Sequence, residues 1–414
     1  MTRGAHTAVA GSLMERVDLQ AAAAAISGVA VRTPTIASAE LAQHAGGPVA
    51  LKAECLQASG SFKVRGVLSK IATLPDGAAG LVTASAGNHG RAVADAARVK
   101  GVACDVYMPI DAPVSKVAAV EALGARVHLQ GDSVEAALEL ALRAAQDSGA
   151  ALVHPFDDLD VIAGQGTIGL EILADVPDLA RVVVPVGGGG LCSGIGVALC
   201  RARPEVELVG VQARACAPYA EALKEGGSAA DAELAAGATI ADGIAVKRPG
   251  KLTLPLMRAL VDRLETVTED EIADAMVFIA ERSKLVAEGA GAVGVAALMS
   301  GRLAPVAGTT VAIVSGGNVD SGLLAGLLRR HETEQGRRVR IFTRVPDRPG
   351  GLAELLALVA RARANVVSVE HVREAVALHV RETGVELTLE TRGPTHTGAV
   401  AQVLREGGYE VSFE

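Results

Sequence analysis

Val182-Val183-Val184-Pro185-Val186-Gly187-Gly188-Gly189-Gly190-Leu191 decides the architecture. The valines form an apolar run of strand length, the glycines can continue neither strand nor helix, and Leu191 opens a helical stretch to about residue 201. The window 182–200 carries no charge and is long enough to cross a bilayer. Pro185 and the glycines would leave irregular backbone in lipid, however, and lipid does not tolerate that. The stretch therefore reads as a buried strand, a tight loop and a helix. Four glycines let backbone N–H groups approach a phosphate closely, the alternative being a turn that only packs closely. The loop is neither GxxxxGK[ST] nor a clear GxGxxG, and no acidic ribose partner is evident, which argues against nucleotide binding.

The same alternation runs outward from this point. Strands are expected at Leu81–Ala84, 103–108, Arg126–Leu129, 206–212 and 309–314, with helices at Asn88–Lys100, 114–123 and 133–146. Repeated β–α alternation predicts an α/β fold of parallel sheets covered by helices. In such sheets ligands gather in loops at the carboxyl ends of strands. Ser85-Ala86-Gly87-Asn88-His89-Gly90, the tetraglycine, and Ser315-Gly316-Gly317-Asn318 all stand at that position. After about residue 330 the character changes. A polar stretch, 332–338, precedes a strand (339–344), the turn Pro346-Asp347-Arg348-Pro349-Gly350, and a helix with Leu352, Leu355, Leu356, Val359 and Ala360 on one face. Strands at Asn365–Val372, 385–390 and 410–413 and a helix near 397–405 complete a βαββαβ pattern, the ferredoxin-like order. The expected organisation is a flexible tail (1–17), an α/β region (18–330) with a smaller subdomain at about 80–157, a linker (331–338) and a C-terminal domain (339–414).

Composition closes off several function classes. The chain has no Trp, five Phe and three Tyr and a net charge of −8, so it offers neither a base-stacking platform nor a basic footprint for nucleic acid. Five scattered cysteines show no CxxC or Cys/His metal spacing, which fits reduced thiols in a cytoplasmic protein better than a disulfide framework or a metal site. The first thirteen residues lack the apolar run of a signal peptide, and neither a membrane nor a nucleic acid is an expected partner.

Gly60-Ser61-Phe62-Lys63-Val64-Arg65-Gly66 carries the chemistry. Desolvation disfavours a charged amine, and a lysine with a lowered pKa can form a Schiff base with an aldehyde. A solvated surface lysine is the plain alternative. The natural aldehyde cofactor, pyridoxal phosphate, would need a phosphate cradle, and the tetraglycine offers one. The Ser85–Gly90 segment opens a helix, whose N-terminus favours an anion such as a substrate carboxylate; an ordinary cap made by Ser85 or Asn88 is the alternative. Ser315 could donate to a ring nitrogen or simply cap a helix.

Taken in order, these four motifs resemble the fold-type II pyridoxal-phosphate enzymes, and within them the threonine dehydratase (threonine ammonia-lyase) and serine racemase branch. Shared stretches include His154-Pro155-Phe156, Ile162-Ala163-Gly164-Gln165-Gly166-Thr167, Ile240-Ala241-Asp242-Gly243 and Thr266-Val267-Thr268-Glu269-Asp270-Glu271, and the likeness covers about residues 20–328. It implies that Lys63 holds the cofactor and then acts as the base at the substrate Cα. Phe62 would pack beside the cofactor ring, Asn88 would bond its 3-hydroxyl, Gly187, Gly188, Gly189, Gly190 and Leu191 would cradle its phosphate, and Ser315 would face its ring nitrogen. Ser85, Ala86, Gly87, Asn88 and His89 would form the substrate-carboxylate loop. Glu288 would contact the cofactor ring, or else serve as a helix N-terminal acid.

Two departures direct the choice of reaction. The racemase's second acid/base serine corresponds to Ala86 here, which favours dehydration over racemisation. Gln212 replaces a metal-binding glutamate, and hard cations want carboxylates, so no divalent metal is expected. The implied activity is β-elimination of L-threonine, and of L-serine, to a 2-keto acid and ammonia. A 3-hydroxyaspartate dehydratase, a cysteine-synthase-like β-replacement enzyme and a non-catalytic amino-acid sensor stay open. Asp347-Arg348-Pro349-Gly350 with Asn365 resembles the amino-acid-binding ACT domain. That resemblance implies an effector site at Asp347, Gly350, Gly351, Leu352 and Asn365, with isoleucine or valine as effector, and a homodimer or homotetramer. The same domain could instead serve only oligomerisation.

Overall fold

The computed structural model describes residues 3–75, 78–224, 237–373 and 381–413. Its compact units are 1–319 and 320–414. In the first unit the valine run forms the strand Leu179–Pro185, with Val182, Val183 and Val184 fully buried. A strand buried on both faces reads as a continuous apolar run rather than an alternating one, because helices cover both sides of a parallel sheet. Each such valine contributes roughly 1.5–3 kcal/mol relative to exposure.

That strand lies inside a six-stranded sheet ordered Thr35–Ala37, Val49–Lys52, Thr309–Ile313, Leu179–Pro185, Glu207–Ala213 and Arg263–Val267. The first pair is antiparallel, with Ile36 opposite Leu51, and the rest are parallel, with Val311 opposite both Ala50 and Val182. A second sheet, wholly parallel, runs Arg126–Leu129, Cys104–Met108, Leu81–Ala84 and Ala151–Leu152. The helix Asn88–Lys100 buries Ala92, Val93, Ala96 and Ala97 on this sheet's core, and Gly101 ends it in the left-handed region. The charge-free window 182–200 thus divides into the strand, the glycine loop and the helix Gly190–Ala202. Among the described residues no helix is long and apolar enough to cross a membrane.

The stretch expected as a flexible tail is helical over Arg3–Arg16, while Met1 and Thr2 lie outside the described residues. Ala10, Leu13 and Val17 are buried at i, i+3, i+7 spacing, and Leu13 and Val17 join Leu19, Ile162, Val197 and Leu256 in one cluster. Three apolar side chains suffice to dock a segment whose average composition reads as unanchored.

The second unit begins with the helix Ser321–Glu334, which runs into the stretch expected as a linker. Its antiparallel sheet is ordered Asn365–Val372, Glu382–Glu390, Arg338–Pro346 and Ser412–Phe413. The helices Gly351–Arg361 and Pro394–Glu406 supply Leu355, Val359, Val400 and Leu404 to a core with Ile341, Val345, Val385, Leu387 and Leu389. This is the βαββαβ order in three dimensions.

Candidate active site

Three loops meet around Lys63, and backbone hydrogen bonds join them. Phe62 N–H donates to Ser315 O at 3.0 Å, Gly317 N–H to Gly60 O at 2.9 Å, and Glu288 N–H to Gly316 O at 3.0 Å. The lysine segment, the Ser315–Asn318 turn and the Glu288 loop are therefore tied to one another although the first lies far from the other two in sequence.

Lys63 begins the helix Lys63–Ala72, and its half-buried side chain donates from Nζ to Pro155 O at 2.8 Å. Nζ also lies 5.1 Å from the Phe62 ring centroid. Enclosure by protein lowers its pKa to about 8, against the opposing pull of Glu288. At neutral pH that leaves far more neutral amine than an ordinary lysine offers. Two residues on, Arg65 is fully buried and holds Glu54 at 2.8 Å and Glu171 at 2.7 Å. Lys52 also binds Glu171, at 2.6 Å. This network anchors the start of the lysine helix to the helix Leu159–Asp175, and Gln165 Oε1 accepts from Gly66 N–H at 3.2 Å on the same face.

Asn88 Nδ2 donates to Glu288 Oε1 at 2.6 Å, and Asn88 Oδ1 accepts from Asn318 Nδ2 at 2.8 Å. Glu288 is buried; burial and the nearby Asp242 raise its pKa to about 7, while the Asn88 hydrogen bond, Lys116 and Lys63 pull the other way. Asp242 is itself ion-paired with Lys116, which belongs to the helix Val114–Glu121. Ser315 is buried at the end of Thr309–Ile313, and its Oγ reaches Ala290 O only at 3.4 Å, so most of its hydrogen-bonding capacity remains.

The tetraglycine loop is built for close approach. Gly189 sits at φ +85°, and a Cβ on Gly188 would lie 2.1 Å from the Phe156 ring. Tyr219 is fully buried beneath the loop; its hydroxyl donates to Gly188 O at 2.8 Å, lies 2.7 Å from Thr253 Oγ1 and accepts from Gly250 N–H at 3.2 Å. Gly190 opens a helix whose N-terminus has no side-chain cap, and Leu191 follows it into the core. Uncapped N–H groups at a helix N-terminus suit a phosphate.

The substrate-loop residues divide. Ser85 Oγ accepts from Gly87 N–H at 3.1 Å, Ala86 packs beside the smaller sheet's core, and Gly87 leads into the helix of Asn88 without a side-chain cap. The His89 imidazole, however, is turned inward. It is 2% exposed, its Nε2 lies 2.9 Å from Val153 O, and burial together with Lys63 lowers its pKa to about 3. Of His89, it is the backbone and not the imidazole that can serve an anion at this loop.

Sequence reading gave no role to several residues that build the site. Pro155 receives Lys63, and Phe156 fills the space that glycine leaves at position 188. Asp157 accepts from Lys251, Leu252 and Thr253 N–H at 2.8–3.1 Å, securing the start of Thr253–Leu260. His154-Pro155-Phe156 was visible as a motif, but only the fold shows what each residue touches. Both ends of the Gln212 amide serve backbone, Nε2 donating to Val186 O and Oε1 accepting from Ala220 N–H.

In the second unit a cavity of about 380 Å³ is lined by Asp347, Arg348, Gly350, Leu352, Leu356 and His371 among others. Asp347 is 3.3 Å from Arg373, and Arg348 pairs with Glu354 at 2.9 Å. Gly351 is buried, 2.5 Å separating its notional Cβ from Pro346 O. Asn365 lies apart from this cavity. It donates to Glu390 at 2.9 Å and sits six residues from His371 along one strand, a span of about 20 Å.

A lysine of lowered pKa at a helix start, with an uncapped glycine cradle and a weakly engaged serine at the ends of two neighbouring strands, defines a cofactor-dependent enzyme of the fold-type II class. The family described as pyridoxal-phosphate dependent enzyme matches residues 26–316, and the chain belongs to that family. An L-threonine ammonia-lyase of Thermotoga maritima is 46% identical over 95% of this chain and 98% of its own length. An L-threonine ammonia-lyase of Geobacter sulfurreducens is 42% identical over 92% and 94%. Among solved structures, a threonine deaminase from T.th. is 39% identical and covers 73% of this chain and 97% of its own, with a TM-score of 0.68. Maize serine racemase is 33% identical over 78% and 98%, with a TM-score of 0.71. The enzyme depends on pyridoxal phosphate, and the residues present fit it, since the loop expected to take the phosphate excludes side chains and leaves N–H groups uncapped.

Proposed function

We infer that the chain is a threonine ammonia-lyase, converting L-threonine to 2-ketobutyrate and ammonia. The observation that carries this reading is the enclosed Lys63 amine beside Asn88, Glu288 and Ser315, on a chain nearly half identical to L-threonine ammonia-lyase along almost its whole length. When bound, pyridoxal phosphate supplies an electron sink for the pair released at the substrate Cα. Phe62 and Asn88 would orient the ring, and Gly187, Gly188, Gly189, Gly190 and Leu191 would hold the phosphate. Ser315 would offer a hydroxyl to the ring nitrogen, and a hydroxyl is too weak an acid to keep that nitrogen protonated. A modest sink suits elimination, in which the β-hydroxyl departs as the proton leaves Cα. Lys63 Nζ takes that proton, and its lowered pKa keeps part of it neutral at physiological pH. Ser85, Gly87, Asn88 and the His89 backbone bind the substrate carboxylate at the helix N-terminus. Ala86 provides no second acid or base at the opposite position, which favours deamination over racemisation. L-Serine, one methyl smaller, is also a substrate.

The second unit acts as an ACT domain that senses an end-product amino acid, isoleucine first and valine second. Its βαββαβ sheet and the cavity at Asp347, Gly350 and Leu352 support this reading. Gly351 shapes the turn. Asn365 would reach such a ligand only from another copy, consistent with a homodimer or homotetramer. The expected location is cytoplasmic.

The test is direct. Purified protein should show the visible absorption band of a lysine-bound cofactor and release 2-ketobutyrate and ammonia from L-threonine alone. A band without keto acid points to a different reaction on the same fold. No band after cofactor addition would sink the enzymatic reading.

A further inference from the structure

The Ser315–Asn318 turn holds a side chain that the reaction above does not use. Asn318 Nδ2 donates to Ser59 O at 2.9 Å and to Asn88 Oδ1 at 2.8 Å. Its Oδ1 accepts from Arg91 Nη1 at 3.2 Å. A backbone carbonyl can only accept and a guanidinium can only donate, so these two partners fix which end of the Asn318 amide is nitrogen. Both Nδ2 hydrogens are then committed, one of them to Asn88 Oδ1. That in turn directs Asn88 Nδ2 at Glu288, with one hydrogen for Oε1 and one to spare. Gly60 is shaped for this chain of bonds. At φ +78° it packs so closely that a Cβ there would lie 2.3 Å from Asn318 Oδ1.

Glu288 alone cannot set the Asn88 amide. As a carboxylate it accepts from Nδ2, but as a carboxylic acid it could donate to Oδ1 and favour the opposite amide orientation. Asn318 carries no titrating group and holds the same orientation in both cases. We propose that Asn318 is a positioning residue that locks the Asn88 amide, so that Asn88 presents N–H rather than C=O to the ring hydroxyl of the cofactor whatever the protonation of Glu288. This rests on the assignment of Asn88 to that hydroxyl. The charged and titratable groups that act on Glu288 are Asp242, Lys116 and Lys63, with the Cys55 thiol nearby, and none of them touches Asn318 in this network.

The experiment compares the holoenzyme with Asn318→Asp and Asn318→Ala, recording the visible spectrum of bound cofactor from pH 6 to 9. Cofactor affinity is measured by titrating pyridoxal phosphate into the stripped chains. Asn318→Asp replaces the donor with an acceptor oxygen and adds a charge. Asn318→Ala removes the donor without adding charge. Both should weaken cofactor binding about tenfold, the scale of one lost hydrogen bond to a polar partner. Both should also add a spectral transition near neutral pH, where Glu288 titrates, that the unsubstituted enzyme lacks. A merely structural asparagine would lower stability and leave the pH profile alone. Arg91→Met, which removes only the partner on Oδ1, should show the same transition with smaller amplitude, and it decides the matter if neither Asn318 variant folds. Superposable pH profiles with affinities within about twofold overturn the proposal. An unsubstituted chain with no visible band overturns the cofactor reading, and this inference with it.

Discussion

The two units treat their polar residues in opposite ways. Around Lys63 the functional groups are enclosed, and each is held by a second group. Glu288 is bound by Asn88, Asn88 by Asn318, and Tyr219 by the loop it supports. Around Asp347 the charged groups are exposed, and their partners, Arg373 and Glu354, are exposed too. Exposed ion pairs are worth roughly 0–1 kcal/mol. Enclosed groups exert strong electrostatic effects because water does not screen them. One unit is therefore organised before anything binds, as bond-breaking requires, while the other offers a surface whose contacts can rearrange around a ligand. The difference teaches that two sites in one chain can be judged by what holds their polar atoms rather than by which residues they contain.

The largest test of this contrast is Lys63→Ala. It should abolish turnover, by about 10⁴-fold or more for loss of the group that both holds the cofactor and moves the proton, and abolish the visible band; substantial residual activity would show that the enclosed amine is not the base. Gly188→Ala comes next. The new methyl would overlap the Phe156 ring, so cofactor affinity should fall by about 100-fold or more, and a variant that binds normally would mean the cradle is less rigid than its packing implies. Asp347→Ala is the smallest. It should leave threonine turnover unchanged while weakening inhibition by isoleucine about threefold to tenfold. An unchanged inhibition curve would move the effector away from the Asp347 turn, and a loss of turnover would break the division of labour.

Much of the catalytic unit was readable because its signals are local. A valine run followed by four glycines forces a strand and a loop, and Asn88–Lys100 falls between a polar segment and Gly101. The weak Thr35–Ala37 and Val49–Lys52 strands were not readable. The second ends in a charged lysine, and that lysine can be buried because Thr33 O and Glu171, the latter 119 residues away, receive its amine. Asn318 was visible as part of a motif, yet its partners Asn88, Arg91 and Ser59 come from other loops. His89 shows the converse. Its neighbours in sequence suggest a side chain facing the substrate, but the imidazole turns to Val153, a contact set by the adjacent strand end. The N-terminal helix was missed because three docking side chains are diluted in a polar segment.

The Arg65, Glu54, Glu171 and Lys52 cluster has a consequence for how this sequence can change over time. Removing Arg65 leaves the fully buried Glu54 carboxylate with no cation beside it, at a cost of about 3–5 kcal/mol, a large part of the stability margin of a domain. Replacing all of them together with apolar groups could be nearly neutral, but a path that begins with the loss of Arg65 passes through a chain that barely folds. The cluster thus works as a ratchet. Once assembled beneath the reactive lysine, it closes the one-step route by which Arg65 could be lost.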